Sequence, residues 1–220
     1  MTTAHAAALI VAAGRGQRFG AATPKQYLTL AGRPVLRHSL ETFSRHPKVS
    51  AVRVVIQEED RLRYEETAKG LSLLSPVQGG ATRQESVRRG LESLVELAPQ
   101  YVLIHDAARP LVDAALIDRT LAALVDASGA IPSLPIADTV KRAAGGLIVE
   151  TLDRQTLRRA QTPQTFRYAD ILAAHQAAAG RELTDDAAVA EAAGLKVALV
   201  NGSEENFKVT TEADLRRAEH

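Results

Sequence analysis

The sequence predicts an α/β fold: a mostly parallel sheet with helices on both faces. Strand-length apolar runs alternate with segments of helical period, in the order that a parallel sheet requires. The first run, residues 7–12, is apolar throughout and reads as a buried strand. It feeds directly into a glycine-punctuated loop at Gly14, and a later run ends in Asp106. Both positions fall beyond the carboxyl ends of strands, where such sheets collect their ligands.

In chain order, the loop after residues 7–12 continues to about Gly32, Arg33 and Pro34. Residues 34–46 form a helix with Pro34 at a permitted first-turn position. Residues 52–56 are a second strand, 58–69 a helix, and 73–77 a short strand. Residues 84–97 place Val87, Leu91, Leu94 and Val95 on one helical face. Residues 101–105 are a strand, 114–127 a helix and 130–134 a strand. The pattern then changes. Residues 136–142 and 147–152 read as a hairpin around a turn at 143–146. A lone two-stranded hairpin is marginal in water, so this arm, residues 136–156, is expected to pack on another subunit. Helices follow at 167–179 and 185–193, a strand at 196–200, and a closing helix at 211–219. Thr184, Asp185 and Asp186 read as a helix cap with acids in the first turn, not as a metal site.

Composition narrows the function. The 220 residues allow one large or two small domains. A net charge of +1 and 4% aromatic residues suit neither a nucleic-acid footprint nor base stacking. Without cysteine there is no disulfide framework and no thiolate metal site. No apolar stretch reaches membrane-spanning length, and residues 1–5 lack a signal-peptide pattern. The expectation is a soluble cytoplasmic protein.

The chemistry lies in three clusters, with two separate cations further along the chain. The first loop, with Gly14, Gly16, Arg18 and Gly20, precedes Pro24-Lys25-Gln26. Glycines let backbone N–H groups approach a ligand, and Arg18 and Lys25 add positive charge, a combination that suits a polyphosphate. The loop is not a Walker A sequence, since no Gly-Lys-Ser/Thr follows it, and its third glycine comes one residue late for the dinucleotide fingerprint. Gly79 and Gly80 run into a helix start at which Arg83 and Ser86 can face a nucleotide; the alternative is a plain loop with Thr82 as N-cap. Asp106 can hold Mg²⁺ or its waters, and Arg109 a phosphate by a forked contact; the alternative is an Asp turn with a local ion pair. His105 reads as structural. Arg154 and Lys208, each taken alone, read as solvated charges. No hydrolase nucleophile motif is present. Cations, hydroxyls and glycine N–H groups suit transfer at phosphorus.

Taken in order, these motifs resemble the 2-C-methyl-D-erythritol 4-phosphate cytidylyltransferases of isoprenoid biosynthesis. The match runs through Ala12-Ala13-Gly14-x-Gly16-x-Arg18, Pro24-Lys25-Gln26-Tyr27, Gly79-Gly80 with Arg83 and Ser86, and His105 to Pro110. It continues with Asp138-Thr139-Val140-Lys141, Asp153-Arg154, Thr162-Pro163-Gln164 and Lys208-Val209-Thr210. The resemblance implies a Rossmann-like domain of the nucleotide-diphospho-sugar transferase type, one nucleotidyltransferase domain over residues 1–220. It implies a homodimer in which the protruding β-arm completes the neighbour's site. Arg18 and Lys25 would stabilise the transition state, and Arg154 and Lys208 would position the acceptor phosphate. Ala12, Ala13, Gly14, Gly16, Gly80, Arg83 and Ser86 would hold CTP. Asp106, Arg109, Thr139 and Thr162 would contact the polyol phosphate, with Asp106 also the ligand for Mg²⁺ or another divalent cation. Val11 and Ala81 depart from the family pattern, where many members have Pro and some have Asp; the second departure could remove a contact to the cytidine half. The alternatives are a ribitol-5-phosphate cytidylyltransferase and a non-catalytic nucleotide-binding domain. Ala107-Ala108 and Asp153 look more like the methylerythritol enzymes, and cations at every expected phosphate position speak against a mere binder. Some relatives of this type carry a downstream cyclase domain, and the sequence fits either a single enzyme or the first part of such a fusion.

Overall fold

The computed structural model describes residues 5–14 and 23–219. The first strand, β1 (Ala6–Val11), lies in the middle of the sheet. Ala6, Ala8 and Ile10 enter one core layer, and Ala7 and Leu9 the other. A strand covered on both faces has no solvent side, so it tolerates an unbroken apolar run. A single 3-10 turn (Lys25–Tyr27) and a small hairpin, β2 (Thr29–Leu30) with β3 (Arg33–Pro34), occupy a region expected to be loop. Pro34 ends that hairpin and immediately precedes α1 (Val35–Arg45), so it is not in the helix's first turn.

Next come β4 (Val49–Ile56), a 3-10 turn (Glu58–Asp60), α2 (Arg61–Ala68) and β5 (Val77–Gln78). They are followed by α3 (Arg83–Glu92), β6 (Tyr101–Asp106), α4 (Ala114–Ala122) and β7 (Gly129–Pro135). Helix α3 is shorter than its periodicity suggested. It caps at Ser93, whose hydroxyl donates to Gly90 O at 2.7 Å, so Leu94 stays buried while Val95 is 55% exposed.

The arm is β8 (Val140–Ala144) and β9 (Leu147–Leu152). Among the described residues these two strands pair only with each other, across Gly145 and Gly146 at φ 57° and 80°. Two consecutive left-handed residues make the tight hairpin turn that matches strand twist, and glycine enters that region without strain. The turn is therefore two residues long, and the first arm strand begins later than its sequence suggested.

The rest of the chain forms β10 (Arg158–Ala160), β11 (Gln164–Arg167), α5 (Tyr168–Ala177), α6 (Asp186–Ala192), β12 (Val197–Asn201) and α7 (Glu212–Ala218). Strands β10 and β11 escaped the sequence reading because neither carries an apolar run. Strand β11 sits antiparallel between β6 and β7, where residue 167 had been expected to begin a helix. Across the main sheet the order is β12, β7, β11, β6, β1, β4, β5, with β10 on the far end of β7. Within it all pairings are parallel except those of β10 and β11. Side chains of α1, α2 and α4 pack one face, and those of α3, α5 and α6 the other. Among the described residues no helix is long and apolar enough to cross a membrane.

Candidate active site

Parallel β1, β4 and β6 end side by side, so the segments that follow them converge on one edge of the sheet. Backbone bonds stitch these ends together: Ala12 N–H donates to Val55 O at 2.8 Å and Ala107 N–H to Val11 O at 3.1 Å. A cleft of about 1080 Å³ opens there. It is lined by Ala12, Ala13, Gly14, Lys25, Gly80, Arg83, Ser86, Asp106 and Lys208, so the fold gathers residues from five separate sequence motifs. Gly16 and Arg18, expected in the same loop, lie outside the described residues.

Two glutamines that the sequence reading gave no role hold the cleft's first loop. Gln26 is 3% exposed, and its Nε2 donates to Ala12 O at 2.7 Å and Gly14 O at 3.2 Å. Gln57 Nε2 donates to Ala13 O at 3.0 Å and Gly80 O at 3.5 Å, joining the two glycine loops. The position of Gln26 beside Lys25 was the only sequence signal for the first; nothing local signalled the second.

The second loop is built on close approach. A side chain at Gly79 would run into the Ala13 methyl and meet Ser86 Oγ at 3.0 Å. Thr82 caps α3, accepting from Glu85 N–H at 3.0 Å, so the N-cap alternative describes its side chain correctly. Ser86 Oγ accepts from Gly80 N–H at 3.0 Å and donates to Thr82 O at 2.8 Å, which fixes the loop against the helix start.

Asp106 is the electrostatic centre. Its Oδ1 faces Arg83 Nε at 3.2 Å and its Oδ2 faces Lys208 Nζ at 2.7 Å. Burial pushes the Asp106 carboxyl up, but Arg83, Lys208 and Arg109 outweigh it and hold the group well below the usual carboxylate range. Arg83 shows the reverse balance, with Asp186 and Asp106 overcoming burial and raising its pKa.

Behind Asp106, Thr162 and His105 form a directed chain. Asp106 N–H donates to Thr162 Oγ1 at 3.1 Å, and Thr162 Oγ1 meets His105 Nδ1 at 3.0 Å. His105 Nε2 faces the carbonyl of Arg109 at 3.1 Å. A carbonyl only accepts, so Nε2 carries the proton and Nδ1 accepts from the Thr162 hydroxyl. Burial lowers the His105 pKa to about 4, so the ring is neutral at pH 7. Both nitrogens are engaged, which leaves His105 no role as a base. Thr162 and Arg109 therefore lie behind the cleft wall. Arg109 Nη1 donates to Asn206 O at 2.7 Å, and Asn206 Nδ2 donates to Thr162 O at 2.8 Å. With Val209 N–H bonded to Ala108 O at 2.8 Å, this sets the segment that presents Lys208.

Thr139 and Arg154 are elsewhere. Both are exposed at the base of the arm, where Arg154 Nη1 donates to Ala137 O, and neither lines the cleft.

Among the described residues no group of three His, Cys, Asp or Glu side chains could hold a metal. Asp106 already meets a cation at each oxygen, so it offers no ready-made protein cage. One carboxylate beside phosphate oxygens is a donor set that suits Mg²⁺ arriving with a nucleotide.

Residues 6–220 match the family model described as 2-C-methyl-D-erythritol 4-phosphate cytidylyltransferase. The chain is 65% identical over 217 residues to a protein of Rhodospirillum rubrum named bifunctional enzyme IspD/IspF, covering 98% of this chain and 56% of that protein. It is 53% identical over 222 residues to a 2-C-methyl-D-erythritol 4-phosphate cytidylyltransferase of Cereibacter sphaeroides, covering 100% of this chain and 96% of the relative. Among solved structures, the 2-C-methyl-D-erythritol 4-phosphate cytidylyltransferase of Thermus thermophilus superimposes with a TM-score of 0.80 at 35% identity, covering 96% of each chain. The bifunctional IspDF of Campylobacter jejuni superimposes with a TM-score of 0.83 at 28% identity, over 97% of this chain and 54% of that one. The chain thus spans about half the length of the bifunctional relatives it matches.

Proposed function

This chain belongs to the 2-C-methyl-D-erythritol 4-phosphate cytidylyltransferase family, and from that premise we propose that it transfers CMP from CTP to 2-C-methyl-D-erythritol 4-phosphate. A phosphate oxygen of the acceptor attacks the α-phosphorus of CTP in line. The bond from that phosphorus to the oxygen bridging the β-phosphate breaks, and pyrophosphate leaves with the electron pair. The products are 4-diphosphocytidyl-2-C-methyl-D-erythritol and pyrophosphate.

The observation that carries this reading is the convergence of Lys25, Arg83 and Lys208 on one cleft beside the two glycine loops. A phosphate monoester has its second pKa near ~6, so the acceptor is largely dianionic at neutral pH and needs no deprotonation. The barrier is the meeting of two polyanions, and fixed cations lower it. In this reading Lys25 and Arg18 stabilise the charge that builds at the α-phosphate, and Lys208 steers the acceptor phosphate. The glycine loops and Ser86 hold the nucleotide by backbone contacts. Asp106 would be the residue to face a divalent cation carried by the CTP triphosphate, and such an ion would supply charge neutralisation there.

We assign the whole of residues 1–220 to one nucleotidyltransferase domain, acting in the cytoplasm, with the arm as a dimerisation element. Leu147, Ile148 and Val149 are 75%, 68% and 60% exposed on a hairpin that pairs with nothing else among the described residues. Apolar residues so displayed are stabilised by a second surface. A second copy seated there would bring Thr139 and Arg154 toward its partner's cleft, the role that their distance from the cleft in one chain leaves open.

The test is pyrophosphate release from CTP, measured with methylerythritol phosphate and with ribitol 5-phosphate. Release with the first acceptor and little with the second is the expected result. A preference for ribitol phosphate, or release with neither, refutes the reading.

A further inference from the structure

The charges around Asp106 continue back into the core. Arg83 opens α3 and turns both terminal nitrogens onto Asp186, with Nη2 2.8 Å from Oδ2 and Nη1 3.2 Å from Oδ1. Only its Nε is left for Asp106. Asp186 lies in the first turn of α6 with its side chain 1% exposed, and the fully buried His175 of α5 places Nε2 3.2 Å from Asp186 Oδ1. Neither nitrogen of His175 makes a hydrogen bond of good geometry among the described residues. Beyond Asp106 the line ends in Lys208. Asp186, Arg83, Asp106 and Lys208 thus alternate in charge from the core to the cleft, with His175 behind them.

A guanidinium can fork end-on through its two terminal nitrogens or side-on through Nε and Nη2, and both forks need Nη2, which Asp186 holds here. Asp186 has the fork, so Asp106 receives a single contact through Nε and keeps Oδ2 for Lys208. Neutralise Asp186, and the fork is free to turn to Asp106 and occupy both of its oxygens. Lys208 then loses its partner and its place.

We propose that Asp186, backed by His175, is a positioning residue for the transfer reaction, holding Lys208 at the cleft by keeping the Arg83 fork away from Asp106. The proposal rests on the reading of Lys208 as a catalytic cation. Burial pushes the Asp186 carboxyl up, but Arg83 and His175 more than offset this and hold it below its ordinary value, which agrees with an ionised anchor.

A double-mutant cycle tests it, with kcat and KM for CTP measured on the wild type, Asp186→Asn, Lys208→Ala and the double variant. Asp186→Asn is expected to lower kcat by about 10-fold or more while KM for CTP changes little. In the Lys208→Ala background the same substitution should cost less than about 3-fold, because coupled residues are non-additive. A general structural role would instead give equal fold losses in both backgrounds, and that result overturns the proposal. So does a kcat for Asp186→Asn within twofold of wild type. If Lys208→Ala itself leaves kcat unchanged, the reading of Lys208 fails and the proposal falls with it. That outcome is distinct from one in which Lys208 matters but the losses multiply. Should Asp186→Asn not fold by circular dichroism, His175→Asn keeps both Arg83 contacts and is run through the same cycle, with a smaller loss of the same non-additive kind expected.

Discussion

Lowering the pH from 7 to 5 should destabilise this protein by about 2 kcal/mol through one side chain, His105. The ring is fully buried, and its pKa falls from 6.5 to about 4 because burial penalises the charged form. The unfolded chain therefore binds the proton more readily than the folded one, and stability is lost as the pH falls from about 6.5 toward 4. At pH 5 the difference in protonation is about 1.5 pH units of work, which at about 1.36 kcal/mol per unit gives the figure of about 2 kcal/mol. For a chain of this size that corresponds to a fall in Tm of about 4–8 °C. The depressed carboxylates Asp106, Asp186, Glu41 and Glu85 act in a separate window. Their stabilisation is fully present above their unfolded pKa values and is lost only below about pH 4.5. Urea unfolding at pH 7 and pH 5 measures the loss, and His105→Asn isolates its source. The variant should be less stable at pH 7, since Thr162 and the Arg109 carbonyl lose their partner, but its stability should change less over this interval, by the same 2 kcal/mol. An equal pH dependence in wild type and variant would refute the assignment.

Three further outcomes test the site and the arm. Lys25→Ala should fold normally and lose about 10²–10³ in kcat for pyrophosphate release, the scale of removing one electrostatic donor from a transition state. Gly79→Ala forces a methyl group into the space of the Ala13 side chain, an overpacking cost of about 1–3 kcal/mol; calorimetric titration should show CTP affinity weakened by at least about 5-fold. Ile148→Asp puts a charge on the exposed arm face; if the arm is the proposed dimer contact, light scattering should give a dimer for the wild type and a monomer of lower turnover for the variant, and unchanged mass and activity would remove the arm from the proposal.

Much of the parallel sheet was legible because burial on both faces leaves a local signature. Residues 7–12, 52–56 and 101–105 are apolar enough to show it without knowledge of their neighbours, although β4 begins three residues earlier, at Val49, than its apolar run. Strands β10 and β11 were not legible. Gln164 to Arg167 is a largely polar tetrapeptide, and it is a strand only because β6 and β7 leave a gap that its backbone fills. The end of α3 shows a similar limit: the apolar spacing runs past Glu92, but a hydroxyl bond from Ser93 ends the helix before Val95.

For the site, much of the inventory could be read from the chain directly, namely two glycine loops, Lys25 and Asp106 at a strand end, whereas Lys208, by itself a solvated charge, gained a role only through the family resemblance. Short motifs report residue type and spacing, which is enough to suggest phosphate chemistry. How those groups are arranged emerged only from the folded molecule. Folding put Thr162 and Arg109 behind the wall, Arg154 at the arm, and Asp186 against Arg83 from 103 positions away. It also gave Gln26 and Gln57 their tasks, since their bonds reach backbone carbonyls that any residue carries. Charges pair, and amides bond, with whatever the fold brings within about 3 Å, and that distance is set by the packing of whole layers.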